Sequence, residues 1–226
     1  MGTFYNPSIV MEGLTICLDA SNPKSYSGGS TIKNIGSLSG QFTVSGTPVV
    51  DEKSFVFDGV DDFIDISSYA LSINPSIGTE FSVFMMINPS SVSGDYALFG
   101  HRVGVGLCFH TRADKVALRL DDSIAATSST SLQIGTWYHV GFTHKANGAS
   151  SETRLYVNAV MEASDPLWDG SGFGDNLMWI GYQDRTNYSF NPTYFPGGIG
   201  PVYVYDRVLS DEEINRNHNA VIARFN

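Results

Sequence analysis

The sequence predicts an all-β fold, a two-sheet antiparallel jelly-roll sandwich with a short C-terminal helix. The chain has 226 residues, and sandwiches of roughly 200–250 residues commonly form one domain. Charged residues make up only 16% of the chain, and its 23 glycines favour tight turns over long helices. About ten strand-like runs recur with turn signals between them, and one clear helix signal occurs, at the C-terminus.

The first strands are short and apolar. Leu14–Leu18 is the first run, and Ser54–Phe57 alternates before the turn signal Asp58-Gly59. A strand resumes at Phe63–Ile66, and the apolar run Phe81–Ile87 ends at Asn88-Pro89-Ser90. Three further runs follow, at Ala97–Phe99, Val103–Phe109 and Val116–Leu120.

The clearest strand is Trp137–Lys145. Its residues alternate with a period of two: Tyr138, Val140 and Phe142 fall on one face, and His139, Gly141 and Thr143 fall on the other. Asn147-Gly148 then favours a tight hairpin turn. The remaining predicted strands are Thr153–Val157, Leu177–Tyr182 and Gly200–Tyr205.

The C-terminal helix is predicted from its first turn. Ser210 and Glu213 have the spacing of a capping box, and Leu209 with Ile214 that of a hydrophobic staple. We expect an apolar stripe of Ile214, Val221 and Ile222. Residues 1–9 are predicted to be an N-terminal arm, with one sandwich domain over residues 10–226.

Three other segments are predicted to be loose: Ser21–Ser30, Ser123–Ser131 and Gln183–Gly198. The two cysteines, Cys17 and Cys108, lie in apolar runs. We therefore expect buried free thiols.

The charge balance excludes several partners. The formal net charge is −10 and the basic residues are scattered singly, whereas nucleic-acid binders present a clustered basic face. We therefore expect no nucleic-acid binding. No apolar run approaches the roughly 18 residues of a membrane span, so we expect no membrane insertion.

Enzyme signatures are missing from the sequence. Phosphate-loop and nucleophile-elbow motifs do not occur. Glycoside hydrolysis requires two carboxyl groups roughly 5–10 Å apart across the sugar bond, but the acidic pairs of this chain are adjacent in sequence and lie in predicted turns or at the helix start. We therefore predict that the protein is not an enzyme. The adjacent acidic pairs are Asp51/Glu52, Asp61/Asp62, Asp121/Asp122 and Glu212/Glu213.

Asp58, Asp61 and Asp62 place three carboxylates around a glycine within five residues. Calcium prefers six to eight oxygen ligands, so a structural Ca²⁺ is one interpretation of this cluster. The alternative is a polar hairpin in which an aspartate caps its own turn. The sequence leaves both open.

Aromatic residues are the most suggestive surface feature. Between positions 183 and 198 they show no alternation and stand among Asn, Thr, Pro and Gly, a composition typical of sugar-binding and protein-binding surfaces. The alternative is that the loop folds onto the sandwich with its own aromatic side chains. The candidate ligand-binding or partner-binding residues are Trp168, Tyr188, Phe190, Tyr194 and Phe195.

Four stretches carry a resemblance that covers nearly the whole chain: Gly13–Pro23, Phe55–Ile64, Gly135–Thr143 and Gly198–Ile214. Together they resemble the laminin-G-like branch of the concanavalin A-like lectin/glucanase superfamily. The resemblance implies a concanavalin A-like sandwich and makes Asp58, Asp61, Asp62 and Asp206 candidate calcium ligands. The Glu-x-Asp-x-x-Glu signature of the glucanase members is absent.

The opening segment Asn6–Val10 and the block that ends at Pro23 resemble virion structural proteins of tailed bacteriophages of marine cyanobacteria. That resemblance implies a non-enzymatic protein that decorates a capsid or tail through contacts with other virion proteins, with a homo-oligomer as one arrangement. It also implies synthesis in the host cytoplasm and localisation in the virion. The alternative function is a carbohydrate-binding module that attaches the particle to host glycan.

Overall fold

Short strands dominate the computed structural model, which describes residues 8–69, 80–100, 107–120, 123–145, 152–165, 177–184 and 193–226. The first nine strands are β1 Leu14–Leu18, β2 Thr31–Lys33, β3 Gln41–Ser45, β4 Val49–Val50, β5 Phe55–Asp58, β6 Phe63–Asp65, β7 Glu80–Pro89, β8 Asp95–Gly100 and β9 Leu107–Arg112. A single 3₁₀ turn, Ser67–Tyr69, follows β6.

The remaining elements are β10 Lys115–Leu120, β11 Ser123–Thr127, β12 Tyr138–Lys145, β13 Glu152–Val157, β14 Val160–Asp165, β15 Trp179–Ile180, β16 Tyr182–Gln183, β17 Thr193–Tyr194, β18 Pro196–Tyr205 and the helix α1 Asp211–Ile222. No helix within the described residues has the length and hydropathy needed to cross a bilayer.

Two eight-stranded sheets form the sandwich. The first sheet has the order β14-β13-β12-β7-β18-β5-β4, and β1 also pairs with β18. The second sheet has the order β11-β10-β9-β8-β15-β6-β3-β2, and β16 with β17 forms a separate two-stranded ribbon. The strand pairs in the described residues are antiparallel. The predicted all-β jelly-roll sandwich with a C-terminal helix is thus confirmed.

The long strand β18 organises the first sheet. One edge of β18 pairs with β7. Its other edge pairs with two strands: β5 along Pro196–Ile199 and β1 along Val202–Tyr205. A bulge between Ile199 and Val202 marks the change. A Cβ atom at Gly200 would lie 2.8 Å from Met86 Cβ, so glycine allows β7 and β18 to approach closely here.

Alternation along β12 divides two apolar clusters, as its sequence predicts. Tyr138, Val140 and Phe142 pack between the two sheets in the main core. His139 lies on the opposite face, where its ring stacks on Phe84 at 5.3 Å between centroids. Phe84 belongs to a second cluster between the first sheet and α1, with Leu14, Tyr156, Tyr203, Ile214 and Val221.

The predicted helix start is present in full. The Ser210 hydroxyl accepts a hydrogen bond from the Glu213 backbone N–H at 3.3 Å, and the Ser210 backbone N–H donates to Glu213 Oε2 at 2.9 Å. Leu209 and Ile214 are both buried, and the side chain of Arg207 pairs with Glu213 at 2.6 Å. The capping box and the apolar side of α1 are confirmed.

Several strands were not predicted. Ser123–Ser131 was expected to be loose, yet β11 occupies Ser123–Thr127 and pairs with β10. Four of its five residues are Ser, Ala or Thr, so the strand gives little apolar signal, although Ala126 is buried in the main core. The prediction also missed the short strands β2, β3, β4, β14 and β17.

The N-terminal arm and the cysteines can be placed in part. Residues 1–7 of the predicted arm lie outside the described residues, whereas Ser8 accepts two hydrogen bonds from the Arg216 guanidinium and Ile9 packs on the second cluster.

Cys17 and Cys108 are buried free thiols, as expected. Burial raises the pKa of the Cys17 thiol to about 12, which keeps it in the unreactive thiol form.

Candidate functional site

The turn between β5 and β6 concentrates three carboxylates. Asp58 ends β5, and its Oδ1 accepts a hydrogen bond from the Val60 backbone N–H at 2.7 Å. Gly59 has a φ of +80°, and a Cβ atom there would lie 2.9 Å from Pro196 Cβ. Glycine is therefore required both by the backbone conformation and by the close approach of β18.

Asp62 ties this turn to the loop after β3. The residue is 2% exposed, and its carboxylate accepts hydrogen bonds from the backbone N–H groups of Thr47 at 2.8 Å and Asp58 at 2.9 Å. Burial raises the pKa of the Asp62 carboxyl, and the negative charges of Asp58 and Asp61 add to the increase, against the two N–H donors. Asp62 therefore has a structural role as a turn cap.

The same cluster has the donor set that a hard cation requires. One ligand oxygen from each of Asp58, Asp61 and Asp62 can be chosen so that all lie within 4.8 Å of one another. The side chains of Asp58 and Asp61 are exposed, and a carboxylate that accepts one hydrogen bond per oxygen keeps further lone pairs. These three residues could bind a calcium ion whose remaining coordination positions are filled by water. The same hydrogen bonds are also what a polar hairpin without a cation requires.

Asp206, the fourth candidate calcium ligand, does not join the cluster. Pro196 at the start of β18 pairs with Asp58, whereas Asp206 follows the other end of this ten-residue strand. Ten extended residues span roughly 30 Å. The Asp206 backbone N–H instead donates to the Gly13 carbonyl at 2.9 Å, so the four-residue set is corrected to three.

Three half-buried aromatic rings stack close to the acidic turn. The centroids of Phe63 and Tyr182 are 4.9 Å apart, and those of Tyr182 and Tyr194 are 4.8 Å apart. The Phe63 and Tyr194 rings are 6.3 Å apart and complete the group. The backbone places them together because β6 leads directly out of the turn, and β16 pairs Tyr182 with Tyr194 on β17.

Desolvation and nearby carboxylates raise the pKa of both tyrosines of this group. Desolvation raises the pKa of Tyr182 to about 12, with a further contribution from the charge of Asp184. Desolvation also raises the pKa of Tyr194, and the charges of Asp61 and Asp184 add to it. The rings and the acidic turn thus form one surface, which we call the aromatic–acidic patch and define as Asp58, Asp61, Phe63, Tyr182 and Tyr194.

The other aromatic candidates have different positions. Phe195 is fully buried in the main core, and its backbone N–H donates to the Gly181 carbonyl at 2.8 Å. It therefore packs the sandwich and offers no ring to a partner, which corrects its assignment as a surface candidate. Trp168, Tyr188 and Phe190 lie outside the described residues.

Phe63 and Tyr182 were not among the predicted site residues. A signal for Phe63 exists in the sequence, because Ile64 is the buried residue of β6 and its neighbour must face the other way. Tyr182 has no such signal, since its position depends on pairing with β17 across a segment of nine residues.

Family comparison agrees with this architecture. A laminin-G-type family model, described as the concanavalin A-like lectin/glucanases superfamily, matches residues 58–215, which is more than half of the chain. The chain belongs to this superfamily. A search of curated proteins found no significant match.

Solved structures share the fold of this superfamily member at low sequence identity. A Trypanosoma rangeli sialidase, in complex with 2,3-difluorosialic acid, is 16% identical with a TM-score of 0.67, and the match covers 92% of this chain and 33% of the sialidase. The botulinum neurotoxin serotype C1 binding domain is 13% identical with a TM-score of 0.66, covering 92% and 52% respectively.

A second botulinum neurotoxin type C structure is similar as well. Its cell entry is described as dependent on interaction with two ganglioside molecules, and it is 12% identical with a TM-score of 0.65, covering 92% of this chain and 51% of the toxin chain. This superfamily member therefore spans about a third to a half of the chains it matches. Such similarity identifies a lectin-like fold.

Proposed function

We propose that this domain is a non-catalytic, lectin-like module that binds glycans through the aromatic–acidic patch. One observation carries the proposal: the Tyr194 ring lies against Tyr182 and Phe63, within electrostatic reach of the Asp61 carboxylate. Tyrosine combines an apolar ring with a polar hydroxyl. A sugar likewise combines an apolar C–H face with a rim of hydroxyl groups, so the two surfaces are complementary.

The surrounding chemistry supports a sugar over a phosphate-rich partner. Asp58 and Asp61 are exposed and can accept hydrogen bonds from sugar hydroxyls. Their negative charge, added to a net charge of −10, disfavours phosphate-rich partners. The sialidase and the ganglioside-dependent toxin share the fold, and glycan recognition by proteins of this architecture supports the same class of ligand here.

Binding fits the carboxylate geometry better than hydrolysis does. The oxygens of Asp58, Asp61 and Asp62 come from one turn and lie within 4.8 Å of one another. Glycosidases instead have two carboxyl groups that flank the scissile bond from opposite sides. Asp62 is moreover occupied by two backbone donors, which supports a role in holding the turn.

The experiment is a glycan-array screen followed by titration of the strongest ligand. Tyr194→Ala is expected to weaken binding about tenfold, equivalent to about 1.4 kcal/mol, because the stacking ring is lost. Tyr194→Phe keeps the ring and should retain most of the affinity. Met161→Ala, at the exposed edge strand β14, is the matched control.

Unchanged binding in Tyr194→Ala, or release of reducing sugar from the bound glycan, would contradict this proposal. The capsid or tail role, the virion partners, the homo-oligomer and the virion localisation stay predictions, because neither the described geometry nor the comparisons bear on them. A reconstruction of purified particles that locates the chain tests them directly.

A further inference from the structure

A shallow groove of about 210 Å³ lies on the outer face of the first sheet, beside the end of the C-terminal helix segment. We call it the Trp137 groove, and it lies at the first residues of β18, just before the bulge between Ile199 and Val202. Its lining residues are Asp51, Ser54, Val56, Asn88, Ser90, Trp137, Gly197 and Gly198. None of these residues was a candidate from the sequence.

The floor of the groove consists of backbone. A Cβ atom at Gly198 would lie 2.7 Å from Trp137 Cη2 and 3.3 Å from Ser54 Oγ, so the absence of a side chain lets the indole lie against the strand. Gly198 is paired with Val56 on β5 and with Asn88 on β7. Because both edges of β18 are occupied here, the floor offers no strand edge to a peptide backbone.

One wall of the groove is the indole of Trp137. The indole also packs against Phe225, whose ring centroid is 4.4 Å from that of Trp137. Phe225 belongs to the cluster between the first sheet and α1. Trp137 is half-buried, so the indole is held from behind while part of its surface faces the groove. Val56, 36% exposed, adds apolar surface from β5.

The polar groups of the groove are side chains. The half-buried Asn88 amide makes no hydrogen bond within the part of the chain that the structure describes, so both its donors and its acceptor are available. Asp51 uses Oδ1 to accept from the backbone N–H groups of Lys53 and Ser54, and Ser90 is exposed. The groove can therefore both donate and accept at positions fixed by β5 and β7.

We propose that the Trp137 groove is a second glycan subsite that holds a single uncharged pyranose ring. The inference shares with the proposed function only the class of ligand, since it uses different residues. The volume is below the roughly 300–1,000 Å³ of sites for drug-sized ligands, which suits one small ring. An indole wall with an amide, a carboxylate and a hydroxyl matches a ring that has one apolar face and several hydroxyls.

Charge sets the preference for an uncharged sugar. Asp51 is the charged side chain among the residues that line the groove, and a sialic acid carboxylate placed beside it would be repelled. Lys53 is outside that lining, with its Nζ 6.0 Å from the Phe225 ring centroid. Neutral oligosaccharides should therefore bind more tightly than sialylated ones of the same core.

The test uses tryptophan fluorescence and calorimetric titration of the full chain with lactose, cellotriose and sialyllactose. Asn88→Ala and Trp137→Ala are expected to weaken binding of the better neutral sugar about tenfold, whereas Trp137→Phe should weaken it less. Asn219→Ala, on the exposed side of α1, is the matched control for Asn88→Ala.

Asp51→Asn provides the sharpest variant, because an amide oxygen can still accept the turn hydrogen bonds while the charge is removed. It should raise the affinity for sialyllactose several-fold relative to the affinity for lactose. The inference is overturned if wild type binds none of the three sugars, if Asn88→Ala binds normally, or if sialyllactose binds as tightly as lactose. Tyr194→Ala separates the two sites, since loss of neutral-sugar binding only in that variant supports the aromatic–acidic patch and overturns the groove.

Discussion

The imidazole rings of His139 and His218 lie 5.5 Å apart, centroid to centroid, one from the first sheet and the other from α1. Within the described residues, both ring nitrogens of His139 and the Nδ1 of His218 are buried without a hydrogen-bond partner. Phe84 stacks on His139. Two titratable histidines therefore lie in the otherwise apolar contact between the first sheet and α1.

This contact predicts acid destabilisation. Burial lowers the pKa of His139 to about 3, with repulsion from a charged His218 adding to it, whereas an unfolded histidine has a pKa of about 6.5. The unfolded state binds more protons below that value, so stability is full above about pH 6.5 and falls as the pH falls towards 3. Between about pH 7 and pH 5 the loss attributable to His139 is on the order of 1–2 kcal/mol.

Urea unfolding at several pH values measures this effect. His139→Phe keeps a flat ring against Phe84 but does not titrate, so the free energy of unfolding should depend less steeply on pH. Some dependence should persist, because burial also lowers the pKa of His110 and His144 to about 4. Equal slopes in wild type and variant would contradict the assignment.

Asn217 is predicted to anchor the N-terminal segment. Its Oδ1 accepts from the Val10 backbone N–H at 2.8 Å, its Nδ2 donates to the Tyr205 hydroxyl at 2.9 Å, and that hydroxyl donates to the Val10 carbonyl at 3.1 Å. Asn217→Ala leaves buried partners unsatisfied and should cost about 2–3 kcal/mol in the free energy of unfolding. Asn215→Ala, exposed on the same helix, should cost much less, and equal losses by chemical denaturation would exclude the anchor.

The helix cap gives a smaller expected effect. Ser210→Ala removes the hydroxyl that accepts from the Glu213 N–H, at a cost of about 1 kcal/mol. The Arg207–Glu213 ion pair remains, so the helix should stay folded with a lower melting temperature. Ser27→Ala, an exposed loop serine, is the control, and a melting temperature equal to that of wild type would rule out a stabilising cap.

Sequence patterns predicted those elements whose secondary structure is determined by residues close together in the chain. The alternation of Tyr138, Val140 and Phe142 identified β12, and the Ser210–Glu213 spacing identified the helix start. By contrast, β11 is defined by pairing with β10, and its sequence, with Ile124 as its large apolar residue, gives little apolar signal. The pairing of β5 with one end of β18, which separates Asp206 from Asp58, is also non-local.

The candidate site was predicted only in part for the same reason. Asp58, Asp61 and Asp62 are close in sequence, so their clustering in one turn follows from local spacing. Tyr194 was chosen for its polar surroundings, but Phe195 beside it faces the core, because consecutive residues of an extended segment point in opposite directions. Which of the two faces outward depends on pairing between Tyr182 and Tyr194.

Calcium at the acidic turn is the last prediction. If Asp58, Asp61 and Asp62 bind Ca²⁺ only in the folded state, free calcium at about 100 times Kd adds about 2.7 kcal/mol to the free energy of unfolding. Calcium chloride should then raise the melting temperature, EDTA should reverse the increase, and Asp61→Asn should abolish most of it. Glu12→Gln, an exposed carboxylate outside this turn, should respond like wild type. A melting temperature indifferent to both calcium and EDTA would instead establish the turn as a hairpin held by Asp58 and Asp62 alone, because their hydrogen bonds to backbone N–H groups need no cation.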